Sequence, residues 1–351
     1  MTLDRAALPF ALATVLCACS PPQRSDAAPQ PAPEASAAAP TPAPEPTGPR
    51  VPGAPALAFP LACTIGRGCE VQHYLDRDPA KGAVRDYHGG RRTYDEHNGV
   101  DIRIADMAAQ RAGVAVLAAA PGRVARLRDG VPDVSIRAAD APKTEGQECG
   151  NGVVIDHGQG WETQYCHLAQ GSLQVKVGEQ VRAGQPIARV GLSGQTEFAH
   201  LHMSVRHAGQ VVDPFEPAAG AAPLWTPEAA RTMPYKAGAV LNAGFAPGPV
   251  TMSGIEDGAI PLVDASAPAL VAYVRAIELE GGDEVELTLK GPDGSVLATD
   301  RSPLDRDKAQ YLRFVGKKRP PAGWPPGTYV ADCVIYRGGT AVVNRRFEIR
   351  L

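Results

Sequence analysis

The 351 residues suffice for about two domains once an export signal is set aside. The formal charge is −3 and the pI about 6.3, with acidic and basic residues interspersed, so no basic block points to nucleic acid. Beyond residue 20 no apolar run suggests a membrane span.

At the start, Arg5 precedes an apolar run, Ala6–Ala18, of signal-peptide length and too short to cross a bilayer. The run closes as Leu16-Cys17-Ala18-Cys19, which resembles a lipobox. The expectation is that residues 1–19 are a lipoprotein signal peptide, cleaved so that a lipidated Cys19 anchors the chain to a membrane. A plain secretory signal with an incidental cysteine is the alternative. Residues 20–60 hold 13 prolines among Ala, Ser, Thr and Glu, with almost no large apolar side chain before Val51. Such a composition buries no core and reads as a disordered tether, reaching roughly 120 Å at about 3.1 Å per residue. It could equally be a spacer with no particular role. Five cysteines remain, and an exported chain keeps disulfides. Cys63–Cys69 and Cys149–Cys166 are the economical pairings, leaving Cys333 odd, although sequence does not fix connectivity.

Residues 61–215 read as short β-runs divided by glycine turns: Val114–Ala119, Gly122–Leu127, Gly152–His157, Glu162–Cys166, Val175–Val177, Pro186–Val190 and His200–Arg206. With periods near two and no long amphipathic helix, this predicts an antiparallel all-β domain. Residues 216–250 read as a Pro/Ala-rich linker. Residues 251–351 then carry six further runs, Leu270–Glu278, Glu284–Lys290, Ser295–Thr299, Gln310–Val315, Thr328–Tyr336 and Thr340–Arg350, which suggest a small β-sandwich accessory domain. That domain contains no histidine and is expected to be a packing or positioning module without chemistry of its own.

Eight histidines are present, and four of them fall in three tight patterns. In His97-Asn98-Gly99-Val100-Asp101 a turn into a strand aims an imidazole and a carboxylate at one point, two ligand types that zinc accepts. In His200-Leu201-His202 strand alternation puts both imidazoles on one face, with Cα atoms about 6.5 Å apart. One can then bind a metal while the other reaches water or substrate. In Gln164-Tyr165-Cys166-His167-Leu168 a histidine closes a strand. Taken singly each pattern is also compatible with a solvated or structural histidine.

Together these residues resemble, motif by motif, the lysostaphin or LytM-type zinc endopeptidases, metallopeptidase family 23. That pattern runs H-x-G-x-D, a G-N-G strand ending in His, Y-x-H-L, G-x-x-V-x-x-G-Q-x-I, H-L-H and V-D-P. The chain supplies His97–Asp101, Gly150–His157, Tyr165–Leu168, Gly178–Ile187, His200–His202 and Val212–Pro214 in that order, and Val116–Val124 matches the early hairpin. The resemblance implies an antiparallel LytM-type fold, with His97, Asp101 and His202 as zinc ligands and His167 and His200 as catalytic partners. Two neutral imidazoles and one carboxylate would leave Zn2+ a net charge of +1 and an open position, lowering the pKa of a bound water towards about 7. The implied substrate is the peptide stem of bacterial peptidoglycan; the lipobox followed by Ser20 adds the expectation of a periplasmic or cell-envelope location on an outer-membrane anchor.

His157 reads as structural, and His73, His88 and His207 as surface residues. Tyr94 and Trp161 could line the groove, though each is more often packing. Gly191-Leu192-Ser193-Gly194 falls one residue short of a serine nucleophile elbow. Arg126–Gln147 looks longer than the corresponding family loop, Met203 replaces an aromatic residue, and a Cys149–Cys166 bridge would pin the loop bearing His167. Because some relatives have lost ligands and act as activators, the rival reading is a non-catalytic peptidoglycan-binding or regulatory lipoprotein. The completeness of all five positions separates the two.

Overall fold

The computed structural model describes residues 48–351, so the expected signal peptide, Cys19 and most of the expected tether lie outside the described residues. The described residues form one compact unit. Among the described residues, seventeen strands and three helices of five or six residues make an all-β structure, with every strand ladder antiparallel. Among the described residues no helix is long and apolar enough to cross a membrane.

The first region is built on an eight-stranded sheet. Its strands are β1 (Cys69–His73), β2 (Val100–Ile104), β4 (Gly122–Arg128), β5 (Asn151–Gly158), β6 (Trp161–Leu168), β7 (Gln180–Val181), β9 (His200–His207) and β10 (Gln210–Val212). They lie in the order β1-β2-β9-β6-β5-β4-β7, with β10 paired to β9. β3 (Ala115–Leu117) and β8 (Pro186–Arg189) form a separate two-stranded ladder, and α1 (Met107–Ala112) is capped by the Asp106 side chain. Alternation drives the packing: Val153 and Ile155 of β5, Tyr165 of β6 and Leu201, Met203 and Val205 of β9 are buried on one core.

The second region packs two sheets face to face. One contains β11 (Ala239–Ala246), β12 (Ala269–Leu279) and β15 (Lys308–Lys318). The other runs β14-β13-β16-β17, over Val296–Pro303, Glu284–Lys290, Thr328–Arg337 and Thr340–Arg350. β13 buries Val285, Leu287 and Leu289 completely and turns its alternate residues outward, the signature of a half-covered sheet. Cys333 is unpaired and buried in this core, which pushes its thiol up to about 12.

Several sequence expectations change. The segment from Val51 to Pro60, expected in the tether, lies along the first region. Leu57 is fully buried and bonds Leu224 and Thr226 through its backbone, because apolar residues reappear there. The expected 216–250 linker is structured as well: Leu224, Trp225 and Met233 enter the first core, α2 (Pro227–Thr232) follows, and β11 is an edge strand of the sandwich. Val175–Val177 is not a strand. Gln174 and Gly178 make single bonds to Ile187 and Val124, and the ladder forms only at β7 beyond the Lys176–Glu179 turn. Both expected disulfides, Cys63–Cys69 and Cys149–Cys166, are present.

After β10 the chain turns through Asp213, which is 6% exposed. One carboxylate oxygen accepts the Phe215 N–H at 2.9 Å while Oδ2 is buried without a partner. Burial therefore pushes this carboxyl up to about 6. A raised acid favours the folded state fully below its unfolded pKa, and that contribution is lost as pH rises through about 6. Asp213→Asn retains the acceptor and removes the charge. Its stability relative to the parent is expected to rise by about 2 kcal/mol between pH 4 and 7 in pH-resolved unfolding. A pH-independent difference would contradict this reading of the turn.

Candidate metal centre

β2 and β9 are neighbours in a register that sets Asp101 opposite His202 and Arg103 opposite His200. Opposed residues of an antiparallel pair share a face with Cβ atoms about 5 Å apart, so the ladder itself brings a carboxylate to an imidazole. His200 and His202 flank Leu201, which is fully buried in the core. His97 arrives from the turn before β2. A Cβ on Gly99 would lie 2.6 Å from His202 Nε2 and 2.8 Å from the Met203 carbonyl, so glycine alone lets the turn lie across the imidazole.

On the other side of β9, β6 sets Cys166 opposite His202. Alternation would send His167 to the far face. The β5–β6 pairing slips between Asn151↔Leu168 and Val153↔Tyr165, so Cys166 and His167 together oppose Gly152 as a bulge. His167 takes φ 58° there, and its ring turns back to lie 4.6 Å from that of His200 and 6.0 Å from that of His202.

Three ligand atoms meet. His97 Nε2 lies 3.2 Å from His202 Nδ1 and 3.2 Å from Asp101 Oδ1, and His202 Nδ1 lies 2.9 Å from that oxygen. Metal bonds of about 2.0–2.1 Å in a tetrahedron put neighbouring ligand atoms about 3.3 Å apart, so these distances fit one face of such a shell. Among the described residues this is the one group of His, Cys, Asp and Glu side chains gathered for a metal ion.

Hydrogen bonds on the outer side of each ring set its tautomer. His97 Nδ1–H donates to the Tyr74 carbonyl at 2.6 Å, and His202 Nε2–H faces Asn98 Oδ1 and Ser204 Oγ, each at 3.1 Å. His200 Nδ1–H donates to the Phe198 carbonyl at 3.0 Å, and His167 Nδ1–H to the Ser193 carbonyl at 2.8 Å. Each inner nitrogen therefore presents a lone pair. His97 Nε2, His202 Nδ1 and His200 Nε2 converge on Asp101 Oδ1, the last at 3.4 Å. A cluster of acceptors with no donor among them is the chemistry of a cation site.

Burial would raise the Asp101 carboxyl; His97, His200 and His202 instead hold it well below the usual carboxylate range when those rings carry their second proton in the metal-free site. His167 is pushed well below the usual imidazole value by burial and by its neighbours His200 and His202, against the Ser193 bond. Burial also lowers His202, opposed by Asp101. A cleft opens over the cluster, walled by Tyr94, Asn98, Gln164, Gln195, Arg206 and the Cys149–Cys166 bridge.

All five sequence-selected residues, His97, Asp101, His167, His200 and His202, are thus brought together. His157 is elsewhere, held between the Pro121 carbonyl and Thr163 Oγ1 at 2.7 and 2.8 Å. His88 and His207 are exposed and stack on Tyr235 and Trp161. Tyr94 lies on the cleft wall, half exposed, whereas Trp161 is buried packing. Ser193 is structural: its hydroxyl accepts from the Asn151 N–H and donates to the Leu168 carbonyl. The expectation that His73 is a surface residue is wrong. It is largely buried, with Nδ1 3.0 Å from Asp101 Oδ2 and Nε2 3.3 Å from Glu278 of β12. Burial would lower its pKa, but the bonds to Asp101 and Glu278 outweigh that and raise it to about 9. Tyr74 and Ser193, which act through backbone carbonyls, carry no sequence signal for this role. Asn98 sits inside the His97–Asp101 motif, where the sequence marked it only as a turn residue.

Residues 95–214 match Peptidase family M23. The chain is 30% identical over 139 residues to Cell division protein DipM of Caulobacter vibrioides, covering 40% of this chain and 19% of that protein. It is 47% identical over 62 residues to Murein hydrolase activator EnvC of Escherichia coli, covering 18% and 14%. It is 42% identical over 65 residues to DD-carboxypeptidase/endopeptidase Mpg of Neisseria meningitidis, again covering 18% and 14%. The chain therefore spans a fifth or less of the length of these relatives.

The Cys149–Cys166 bridge closes a loop with a sequence separation of 17, and the Cys149 carbonyl accepts the His167 N–H at 2.8 Å. Replacing both cysteines by serine is expected to cost about 3 kcal/mol. Amide exchange over Gly150–Ala169 should accelerate while the C-terminal sandwich is unaffected. Unchanged exchange there would show that the bulge holds His167 without the bridge.

Proposed function

We propose that the protein, whose residues 95–214 match Peptidase family M23, is a zinc-dependent endopeptidase that hydrolyses peptide cross-links of bacterial peptidoglycan. The observation carrying this reading is the three-atom face of His97 Nε2, Asp101 Oδ1 and His202 Nδ1, with two further imidazoles beside it. Those three residues would hold the ion. Zinc bound there would lower the pKa of a coordinated water towards about 7 and would polarise the scissile carbonyl.

The protein's own contribution follows from the tautomers. His200 and His167, each with Nδ1–H tied to a backbone carbonyl, offer Nε2 as proton acceptors. A water has two hydrogens, and the two Nε2 atoms orient them. On attack, one of these two Nε2 atoms takes a proton from the water and delivers it to the leaving amine nitrogen as the C–N bond breaks. The fixed outer bonds mean that neither ring must reorient. The depressed pKa of His167 keeps its nitrogen free at neutral pH.

We further propose export to the cell envelope, with Cys19 as lipid anchor and the proline-rich segment after it as tether. Relatives named Outer membrane antigenic lipoprotein B and Lipoprotein NlpD/LppB homolog accord with this. The likeness to an activator, EnvC, raises the regulatory alternative. Convergence of all five side chains favours catalysis, since binding a wall peptide requires no proton acceptors beside a metal face.

The test is digestion of purified peptidoglycan by protein lacking residues 1–47, with released muropeptides resolved by mass. Cross-linked dimers should disappear, and a zinc chelator should abolish the reaction. His200→Ala and His167→Ala should each slow it by about 10²–10⁴-fold while retaining bound zinc. Intact cross-links from a zinc-loaded protein would overturn the enzyme reading in favour of the regulatory one.

A further inference from the structure

The C-terminal sandwich, which carries no histidine, nevertheless reaches the centre. We propose that Glu278 of β12 and His73 of β1 are positioning residues that fix the Asp101 carboxylate for metal binding, making the sandwich a working part of the metal site. This rests on the zinc reading above.

Three observations carry it. First, the chain of contacts is continuous. Glu278 Oε1 lies 3.3 Å from His73 Nε2, and His73 Nδ1 lies 3.0 Å from Asp101 Oδ2. Asp101 thus spends Oδ2 on His73 and turns Oδ1 toward His97 and His202. A carboxylate free to rotate about its Cβ–Cγ bond would present either oxygen, and the His73 bond removes that freedom. Second, Glu278 is built for the contact. It is one of five non-glycine residues with positive φ among the described residues, at 55°, a conformation that surrounding structure must enforce. Gln72 Nε2 also donates to its Oε1 at 3.4 Å.

Third, the interface around it is locked. Glu256, from α3 (Met252–Glu256) between β11 and β12, accepts from Arg103 and Arg275, both fully buried. Arg275 also donates to the Ala105 carbonyl, just beyond β2. Arg103, two residues after Asp101 and paired with His200, lies 3.9 Å over the Phe198 ring. Charges this buried tolerate little displacement, since breaking one pair strands the other. The sandwich therefore meets β2 at a fixed distance, and Glu278 meets His73 at the end of that frame.

The test is zinc affinity of the protein lacking residues 1–47, measured by competition with a chromogenic chelator. Glu278→Ala should weaken affinity by about 10–100-fold, and Glu278→Gln, which keeps an oxygen for His73, should recover most of it. His73→Phe should give the same loss, and the double variant with Glu278→Ala no further loss, because both act through one contact. Arg345→Ala is the control: it removes a different contact across the same interface, to the Gly66 carbonyl at 2.6 Å, and should leave zinc affinity unchanged. The proposal falls if Glu278→Ala binds zinc like the parent, or if Arg345→Ala weakens it equally. If the parent itself takes up no zinc, the zinc reading fails and this proposal with it; zinc uptake by the parent separates the two failures.

Discussion

A carboxylate 2% exposed, Asp101, surrounded by four imidazoles, is the constraint around which the protein is organised. An ionised carboxylate removed from water is costly unless paired and hydrogen-bonded. Here one oxygen is satisfied by His73 and the other faces nitrogens whose protons point away. Such an arrangement is under-compensated as a hydrogen-bond network and well compensated around a divalent cation. Its placement needs no special loop: the β2–β9 register delivers Asp101 to His202 directly.

What ladder geometry does not supply, local departures from it do. The bulge opposite Gly152 and the left-handed backbone at His167 turn toward the cleft a ring that alternation would hide. Gly99 allows the His97 turn to approach His202 more closely than any Cβ would permit. Backbone carbonyls of Tyr74, Phe198 and Ser193 then fix which nitrogen of each ring carries the proton. Because carbonyls on a packed sheet are rigid, the inner lone pairs are pre-aimed.

Much of this was legible in the sequence where chemistry and period coincide. His97–Asp101 and His200–His202 stood out by residue type and spacing, His167 gained weight only beside them, and the resemblance to metallopeptidase family 23 joined the five; strands such as Glu284–Lys290 stood out by alternation. Segments that pair at one edge or by single bonds escaped. β11 read as linker because its Ala and Gly residues carry a weak strand signal, and Val51–Pro60 read as tether because proline masked Leu57. His73 was misjudged for a different reason. Its partners, Asp101 and Glu278, lie far along the chain, so nothing local marks it as buried. For the same reason nothing in the sequence linked the sandwich to the centre: Glu278, near the end of β12, meets His73 only in the folded protein.

Anomalous diffraction at the zinc edge, from crystals of the zinc-loaded protein, tests the central claim most directly. The account requires one peak, bonded to His97 Nε2, Asp101 Oδ1 and His202 Nδ1 at about 2.0–2.2 Å, with His73 still bridging Asp101 and Glu278. A peak at other residues, or no peak at these three in zinc-saturated crystals, would contradict it.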